Sequence, residues 1–453
     1  MIQSDSMGPS RLIKRRSAGS LFIEAMRFVV LSEMFLGCFS ASNQPISNRM
    51  GHTVVFPLQG NVYPQGFYSV SLRIGNPPKP YTLDIDSGSD LTWLQCDAPC
   101  VSCTKAPHPP YKPNKGPITC NDPMCSALHW PSKPPCKASH EQCDYEVSYA
   151  DHGSSLGVLV HDIFSLQLTN GTLAAPRLAF GCGYDQSYPG PNAPPFVDGV
   201  LGLGYGKSSI VTQLRSLGLI RSIVGHCLSG REGGFLFLGD GLSTTPGIIW
   251  TPMSRKSGES AYALGPADLL FNGQNSGVKG LRLVFDSGSS YTYFNAQAYK
   301  TTLSLVRKYL NGKLKETADE SLPVCWRGAK PFKSIFEVKN YFKPFALSFT
   351  KAKSAQLQLP PESYLIISKH GNACLGILNG SEVGLGDSNV IGDIAFQDKM
   401  VIYDNERQQI GWVPKDCNKL PKVDRDYNKG FSPADLGMVV KQFSAAYASR
   451  EDL

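Results

Sequence analysis

Charged residues and long apolar runs are both scarce in this sequence, and each shortage excludes a class of function. Only 18% of the 453 residues are charged, and the net charge of +7 comes from lysine and arginine side chains that are scattered along the chain. Scattered charge is typical of a solvated surface, so we expect no nucleic-acid partner. The apolar stretch at residues 21–41 is interrupted by Glu24, Arg27 and Glu33. It is too short and too charged to predict a membrane span, and we expect no membrane anchor.

A complete metal-binding motif is missing as well. Cys96, Cys100 and Cys103 are close enough in sequence to suggest zinc, but they fit no four-ligand pattern and no histidine pair accompanies them. Cys38 stands apart from the other twelve cysteines, which form an even set and could make six disulfides. Disulfides are typical of oxidising compartments, and we favour them over zinc. We therefore expect no metal, no cofactor, and a protein of the secretory pathway that is extracellular or vacuolar.

Turn-forming residues, by contrast, are abundant. The chain holds 44 glycines and 33 prolines, and valine, threonine, tyrosine and phenylalanine recur in short runs between them. This composition predicts a mostly β protein with many turns, and the length allows one large or two medium-sized domains. Two helices are predicted, one at residues 208–217, where Ser208 and Ser209 are candidate N-caps and Gly218 is a stop signal, and one at residues 295–310.

One short acidic motif occurs twice. The sequence Asp-Ser-Gly-Ser follows an apolar run at residues 86–89 and again at residues 286–289. Two copies indicate a duplicated fold and a site that takes one carboxylate from each half. If Asp86 and Asp286 face each other within hydrogen-bond reach, they share one proton and titrate as a pair. One carboxylate can then take a proton from water while the other protonates the carbonyl oxygen of an amide, which hydrolyses a peptide bond without a metal.

The neighbours of the two aspartates suit this chemistry. Gly88 and Gly288 allow a tight turn and a close approach of the two motifs. Short hydroxyl groups that can hydrogen-bond a carboxylate and fix its orientation are provided by four serines: Ser87, Ser89, Ser287 and Ser289. A single Asp-Ser-Gly is most often a turn, and a cation site of the type Asp-x-Ser-x-Ser is excluded because glycine stands where that site needs serine. Two matched copies favour the catalytic interpretation.

Further motifs follow in a specific order along the chain. Trp93 lies in the run after the first motif, a cysteine cluster and Tyr149 come next, an apolar segment with spaced glycines occupies residues 198–204, and Val-Ile-Gly-Asp occupies residues 390–393. With these motifs the chain resembles the pepsin-like aspartic proteases, and among them the plant nucellin-like and nepenthesin-like group, over residues 54–417. The resemblance implies an all-β, bilobal pepsin-like fold with two quasi-two-fold related lobes, a central cleft and few short helices. It also implies a monomeric aspartic endopeptidase with an acidic optimum, which binds a polypeptide substrate extended in the cleft.

The resemblance also implies roles for individual residues. Tyr149 corresponds to the tyrosine of a mobile β-hairpin, the flap, which closes over the cleft. Its hydroxyl group is expected to pair with the indole of Trp93. Ser89 and Ser289 are expected to hold the two catalytic aspartates as hydrogen-bond donors.

Two of the disulfides are implied by the same resemblance. Cys325 is expected to pair with Cys374, as in many relatives, and Cys227 with Cys417. The connectivity of the eight cysteines of the first lobe stays open. Seven of these eight lie in residues 96–145 among many prolines and lysines, and this segment is expected to be a disulfide-pinned surface insertion.

The chain is thereby divided into four parts. They are a targeting segment with a signal peptide at residues 1–50, an N-terminal lobe at 51–244 that contains the insertion, a C-terminal lobe at 245–417, and a polar tail at 418–453. The spacing of 116 residues from Asp86 to Gly202 and of 106 residues from Asp286 to Gly392 supports the duplication. Two Asn-x-Ser/Thr sequons predict N-glycosylation of Asn170 and Asn379.

Two other functions stay open at the level of sequence. One is a catalytically weak binding or inhibitor protein on the same fold. The other is a secreted structural protein, which would account for the cysteines but not for the paired motifs. An intact Asp-Ser-Gly in both halves counts against both alternatives.

Overall fold

The computed structural model describes residues 52–98, 100–189, 194–255, 261–352 and 355–421. The predicted targeting segment, Cys38 and most of the predicted tail lie outside the described residues. The described chain is mostly β, with three sheets of fourteen, eight and four strands, and this confirms the predicted all-β class. None of its described helices is long and apolar enough to cross a membrane.

The largest sheet contains strands from both ends of the described chain. Its members are β1 (Val54–Asn61), β2 (Phe67–Ile74), β3 (Lys79–Asp86), β4 (Trp93–Gln95), β5 (Asp144–Ser148), β6 (Ser154–Gln167), β7 (Leu173–Ala174), β8 (Arg177–Ser187), β9 (Gly199–Gly202), β10 (Ile223–Leu228), β11 (Gly234–Leu238), β12 (Ile249–Pro252), β25 (Lys399–Asp404) and β26 (Gln409–Pro414). The spatial order is β12-β26-β25-β10-β11-β1-β2-β3-β9-β4-β8-β6-β5, and β7 pairs with β6. Because β25 pairs with β10, the end of the predicted C-terminal lobe joins the sheet of the first.

The other two sheets are built entirely from the second half of the chain. The eight-stranded sheet contains β13 (Ala263–Phe271), β14 (Gln274–Asn275), β15 (Leu281–Phe285), β16 (Thr292–Phe294), β19 (Phe345–Phe349), β20 (Gln356–Leu359), β23 (Ile377–Asn379) and β24 (Asn389–Ile391). The four-stranded sheet contains β17 (Lys315–Thr317), β18 (Cys325–Arg327), β21 (Leu365–Ile367) and β22 (Ala373–Leu375).

Five α-helices lie in the described residues, and two of them confirm the predicted helices. They are α1 (Pro123–His129), α2 (Ile210–Ser216), α3 (Ala296–Leu310), α4 (Ile335–Val338) and α5 (Asp393–Phe396). Helix α2 begins after Ser209, whose side chain accepts a hydrogen bond from the N–H of Thr212. Helix α3 begins after Asn295, whose side chain accepts from Ala298, and ends at Asn311 in the left-handed conformation. Both N-caps use a short polar side chain to satisfy a free helical N–H group.

A repeated three-strand unit leads to each acidic motif. In the first lobe β3 is parallel to β9, and β4 is antiparallel to β9. In the second lobe β15 is parallel to β24, and β16 is antiparallel to β24. The register pairs Asp86 with Gly202 in one unit and Phe285 with Ile391 in the other. The two units are therefore copies of one arrangement, as the duplicated motif predicts.

Strand β3 shows how the sequence pattern builds both core and site. Tyr81, Leu83 and Ile85 are buried in the main apolar cluster, and burial of each such Leu or Ile side chain contributes about 1.5–3 kcal/mol to folding. Successive side chains of a strand point to opposite faces. The alternation that anchors β3 in the core therefore places Asp84 and Asp86 together on its other face.

The cysteine-rich insertion is partly core, so the prediction of a surface insertion is wrong in this respect. Ile118, Cys125 and Cys143 of the insertion pack in a second apolar cluster that also contains Trp93. Single apolar residues among prolines and lysines give no periodic signal in the sequence. In the structure, however, these three residues pack in the same cluster as the indole of Trp93.

All twelve cysteines of the described residues are in disulfides. The pairs are Cys96–Cys182, Cys100–Cys103, Cys120–Cys136, Cys125–Cys143, Cys227–Cys417 and Cys325–Cys374. The first two pairs use the three cysteines whose spacing suggested zinc, so no thiolate is left there for a metal. Six disulfides in one chain are typical of proteins that fold in an oxidising compartment.

Candidate active site

The two aspartates stand where inner strands of the two lobes end. Asp86 is the last residue of β3, and its carbonyl oxygen accepts a hydrogen bond from Leu203 N at 2.7 Å. Asp286 follows β15, and its own N–H donates to Ile391 O at 3.0 Å. Both strands have neighbours on either side in their sheets. The main chain that carries each carboxylate is therefore fixed by hydrogen bonds from both directions.

The two motifs meet because each contains a glycine. A Cβ atom at Gly88 would lie 2.6 Å from Asp286 Oδ1, and a Cβ atom at Gly288 would lie 2.6 Å from Asp86 Oδ1. Real Cβ atoms do not come this close to an oxygen, so any other residue at either position would displace the opposite carboxylate. The structure thus brings Asp86 and Asp286 together across the two lobes.

Each carboxylate has the same pair of local donors. Gly88 N donates to Asp86 Oδ1 at 2.8 Å, and Ser89 Oγ donates to Asp86 Oδ2. In the second lobe Gly288 N and Ser289 Oγ donate to the two oxygens of Asp286, each at 2.9 Å. These bonds leave each carboxylate with one fixed orientation and stabilise its ionised form.

Ser87 and Ser287 bind the opposite lobe instead of the carboxylates. Ser87 Oγ donates to Phe285 O at 3.1 Å and accepts from Ser287 N at 2.9 Å. Ser287 Oγ donates to Ile85 O at 2.9 Å and accepts from Ser87 N at 3.1 Å. The prediction that all four serines orient the aspartates is therefore wrong for these two, because their side chains point beneath the motifs, where they meet main-chain carbonyls of the other lobe.

Burial and neighbouring charge make the pair hard to ionise completely. The side chain of Asp86 is 7% exposed. Burial first, and then the charge of Asp286, raises the pKa of Asp86 far above the usual carboxyl range, while the bonds from Ser89 and Gly88 partly oppose this shift. The pair consequently keeps one proton over a wide range of pH.

The predicted flap is a β-hairpin formed by β5 and β6. Its turn is closed by hydrogen bonds from Tyr149 N to Gly153 O at 2.8 Å and from His152 N to Tyr149 O at 3.0 Å. Trp93 Nε1 donates to Tyr149 Oη at 2.6 Å, so the indole holds the half-buried tyrosine. At the tip, a Cβ atom at Gly384 would lie 3.0 Å from His152 Cε1. The flap therefore extends from the first lobe to a turn of the second.

Two buried groups next to the pair were not found from sequence. Asp393 is 1% exposed, and neither of its carboxylate oxygens has a hydrogen-bond partner among the described residues. Burial, together with the charges of Asp84, Asp286 and Asp86, raises its pKa well above the usual range. The sequence did contain a signal for Asp393, since it is the last residue of the Val-Ile-Gly-Asp motif at residues 390–393.

The second group lies beneath Ser87. Tyr403 Oη is 3.4 Å from Ser87 Oγ and 3.0 Å from His226 Nε2. Burial lowers the pKa of His226 to about 3, so this histidine is neutral except in strong acid. No sequence signal points to this contact, because the residues come from the first acidic motif and from two strands that are distant from it in sequence, β10 and β25.

The buried carboxyl of Asp393 contributes stability that is present in acid and is lost toward neutral pH. The folded pKa of Asp393 is raised above its ordinary value of 3.8. The folded state thus holds its proton more tightly than the unfolded state, and stability falls as pH rises from about 4 through the raised pKa. We expect Asp393→Asn to raise the Tm relative to wild type more at about pH 7 than at about pH 4, because only the carboxyl acquires a buried charge over this range. The exposed Glu232→Gln is the control; a difference in Tm between Asp393→Asn and wild type that is the same at both pH values contradicts the prediction.

The described residues offer no convincing metal site. Three clusters of potential ligands come within reach of one ion: Cys120, Cys125 and Cys136; Cys125, His129 and Cys143; and Asp319, Cys325 and Cys374. Every cysteine in them is already in a disulfide and cannot act as a thiolate ligand.

Comparison with known proteins gives the family. The chain matches two family models, one described as xylanase inhibitor N-terminal over residues 68–240 and one described as xylanase inhibitor C-terminal over residues 264–414. It is also 46% identical over 382 residues to an aspartic proteinase of Oryza sativa subsp. japonica, a match that covers 82% of this chain and 92% of that protein. The chain belongs to the pepsin-like aspartic protease family.

Solved structures confirm the pepsin-like fold. Basic 7S globulin from soybean aligns with a TM-score of 0.63 at 18% identity, over 83% of this chain and 100% of that one. An aspartic proteinase from Irpex lacteus aligns with a TM-score of 0.57 at 17% identity, over 81% and 98%. At these identities the likeness shows the fold alone. The family models are described as xylanase inhibitor and the relative from Oryza sativa as aspartic proteinase, so the residues of the site must decide between these two activities.

The two predicted glycosylation sites lie in different surroundings. Asn170 is exposed in the turn after β6. Asn379 is the last residue of β23 and is half-buried, and its Nδ2 atom donates to Glu382 Oε1 at 2.8 Å.

Proposed function

We propose that the protein is an aspartic endopeptidase, which hydrolyses peptide bonds with water activated by Asp86 and Asp286. The observation that carries the proposal is the completeness of the pair. Each aspartate has its main-chain donor and its serine donor, and each faces the glycine of the other motif. A protein that only binds a partner has no need of two matched, oriented carboxylates.

The reaction follows from the shared proton. The ionised carboxylate takes a proton from water, the water oxygen bonds to the carbonyl carbon, and the protonated carboxyl gives its proton to the carbonyl oxygen. The resulting tetrahedral diol then collapses: the C–N bond breaks, the amine nitrogen takes a proton from one carboxyl, and a hydroxyl proton of the diol returns to the other. The pair ends with one proton, as it began.

The rest of the cleft would hold the substrate in place. An extended peptide between the flap and the pair can present its side chains alternately to the two sides of the cleft. Closure of the flap excludes water from the reacting bond, and the bond from Trp93 Nε1 to Tyr149 Oη at 2.6 Å fixes the tyrosine for this role.

The remaining predictions become proposals on the same basis. We propose that the chain acts as a monomer, carries glycans at Asn170 and Asn379, and matures in the secretory pathway to an extracellular or vacuolar location. The six disulfides support maturation in the secretory pathway, because disulfides form in its oxidising compartments.

A binding or inhibitor protein is the second candidate, and the family description as xylanase inhibitor favours it. The two candidates differ in what they do to a polypeptide. The test is to incubate the disulfide-bonded protein with a denatured protein substrate from acid to neutral pH, with and without a statine-type inhibitor. We expect cleavage in acid that the inhibitor blocks. Intact substrate at every pH, from a protein that does not bind the inhibitor, would support the second candidate.

A further inference from the structure

A third carboxylate lies beside the catalytic pair and takes no part in the reaction described above. Asp84 stands two residues before Asp86 in β3, and alternate residues of a strand share one face about 7 Å apart. The register places Asp84 between Ser69 of β2 and Val200 of β9. Asp84 is half-buried and lies on the same face of β3 as Asp86.

This carboxylate has no counter-ion in the described structure. Its Oδ1 atom is shielded from solvent and has no hydrogen-bond partner, and no described ion pair includes it. The charged groups that act on it are Asp86 and Asp286, which are of the same sign. The main-chain N–H of Ile85 favours the ionised form of this group, but a shielded carboxylate oxygen without a partner is costly. A cation supplied by a substrate would therefore be stabilised at this position.

An aromatic side chain near Asp84 follows the last strand residue that pairs with the flap hairpin. Ser187, at the end of β8, pairs with Ser154, which directly follows the turn of the flap, and the half-buried Tyr188 comes next in the chain. Burial first, and then the charges of Asp84 and of Asp151 in the flap turn, raise the pKa of Tyr188 to about 12. The phenol is therefore close to Asp84 as well as to the flap turn. A carboxylate with an aromatic side chain nearby is an arrangement that can bind ammonium and guanidinium groups.

We propose that Asp84 and Tyr188 form a subsite for a lysine or arginine side chain of the substrate, adjacent to the bond that is cleaved. The inference rests on the proposed peptidase function and adds a substrate class to it. An extended peptide repeats its side chains on one face at about the same 7 Å spacing as the strand. A residue next to the reacting peptide bond can therefore reach Asp84 while that bond lies at Asp86.

The subsite also predicts a specific pH dependence. The groups that face Asp84 are Asp86 on its own strand, Asp286 and Asp393 of the second lobe, and Tyr188, and none of them is a cation. Burial and the charges of Asp86 and Asp286 raise the pKa of Asp84 well above the usual range. In acid the free carboxyl is protonated, and binding of a cation must expel that proton. The preference for lysine should consequently increase as pH rises.

The test uses matched peptides in which one lysine is moved through the positions on either side of the scissile bond, with norleucine at the same position as reference. We expect wild type to show, at one position, a kcat/KM for lysine about tenfold or more above that for norleucine, the size of one charge-assisted hydrogen bond. The isosteric Asp84→Asn should abolish this ratio. Glu232→Gln, in the turn between β10 and β11, removes an exposed carboxylate and should keep it.

A binding measurement separates failure of the subsite from failure of the proposed function. The same peptides are titrated into Asp86→Asn, with and without Asp84→Asn. Tighter binding of the lysine peptide that depends on Asp84, without any cleavage by wild type, would overturn the peptidase and keep the subsite. Cleavage of both peptides with equal kcat/KM at every position, or a lysine preference that survives Asp84→Asn, would overturn the subsite and keep the peptidase.

Discussion

Asp86→Asn and Asp286→Asn should each lower kcat by about a thousandfold or more, the range expected when an essential acid or base is lost. Asparagine has the shape of aspartate: its Oδ1 can still accept from Gly88 N, and its Nδ2 can donate to Ser89 Oγ, whose hydroxyl group can turn to accept. It can neither take a proton from water nor deliver one, however. The pair then lacks the single mobile proton on which both halves of the reaction depend, and measurement of kcat on a peptide that wild type cleaves tests this directly.

Stability distinguishes loss of chemistry from loss of fold in these variants. Because burial and the charge of Asp286 raise the pKa of Asp86, an uncharged amide at position 86 should leave the Tm at neutral pH equal to that of wild type or higher. Glu232→Gln is the matched control and should keep wild-type kcat. If Asp86→Asn cleaved at more than about a tenth of the wild-type rate, the pair would not be the catalytic group.

The dyad could be predicted from sequence because a local motif carries its own geometry. An apolar run followed by Asp-Ser-Gly-Ser specifies a strand, a turn and a close approach, and the second copy at residue 286 supplies the partner. Helix α2 was predicted for a similar reason, since the candidate cap residue Ser209 marks where it begins. In each case the signal and the structural feature lie within a few residues of each other.

Structural features that depend on contacts between residues far apart in the chain could not be predicted from the sequence. Cys96 pairs with Cys182 across 86 residues, and nothing near either cysteine specifies the other. Ser87 was given the same role as Ser89, because a hydroxyl group in a motif does not reveal which face of the turn it takes. The position of β25 in the sheet of the first lobe also follows from tertiary packing. A division of the chain into consecutive segments assigns β25 to the second lobe and therefore misses this pairing.

Asp84 falls between these two classes. The alternation of Leu83 and Ile85 with two acidic residues is visible in the sequence, and it places Asp84 on the same face as Asp86. That face could be identified as the cleft only after the register with β2 and β9 was known. The sequence signal was therefore an acidic residue between two buried apolar residues, Leu83 and Ile85, two positions before the motif aspartate.

The serine pair beneath the dyad should have the second large effect. Ser87 and Ser287 are 0% and 1% exposed, and each hydroxyl group makes two hydrogen bonds to main-chain groups of the opposite motif. Ser87→Ala would leave Phe285 O and Ser287 N buried without a partner. At about 1–3 kcal/mol for each unsatisfied group, we expect about 2–4 kcal/mol of lost stability, measured by denaturant unfolding.

Activity should fall with stability, because these bonds join the two lobes directly below the carboxylates. A shift of about 1 Å in a reacting group can cost about a hundredfold in rate, so we expect a loss of that order in kcat for Ser87→Ala. Ser87→Thr keeps the hydroxyl group and should restore most of both losses. Ser216→Ala removes an exposed hydroxyl that donates to Thr212 O at 2.8 Å and should change neither. If Ser87→Ala matched wild type in unfolding free energy and in kcat, the lobes would be aligned by their shared sheet alone, and the serines would have no part in holding the dyad.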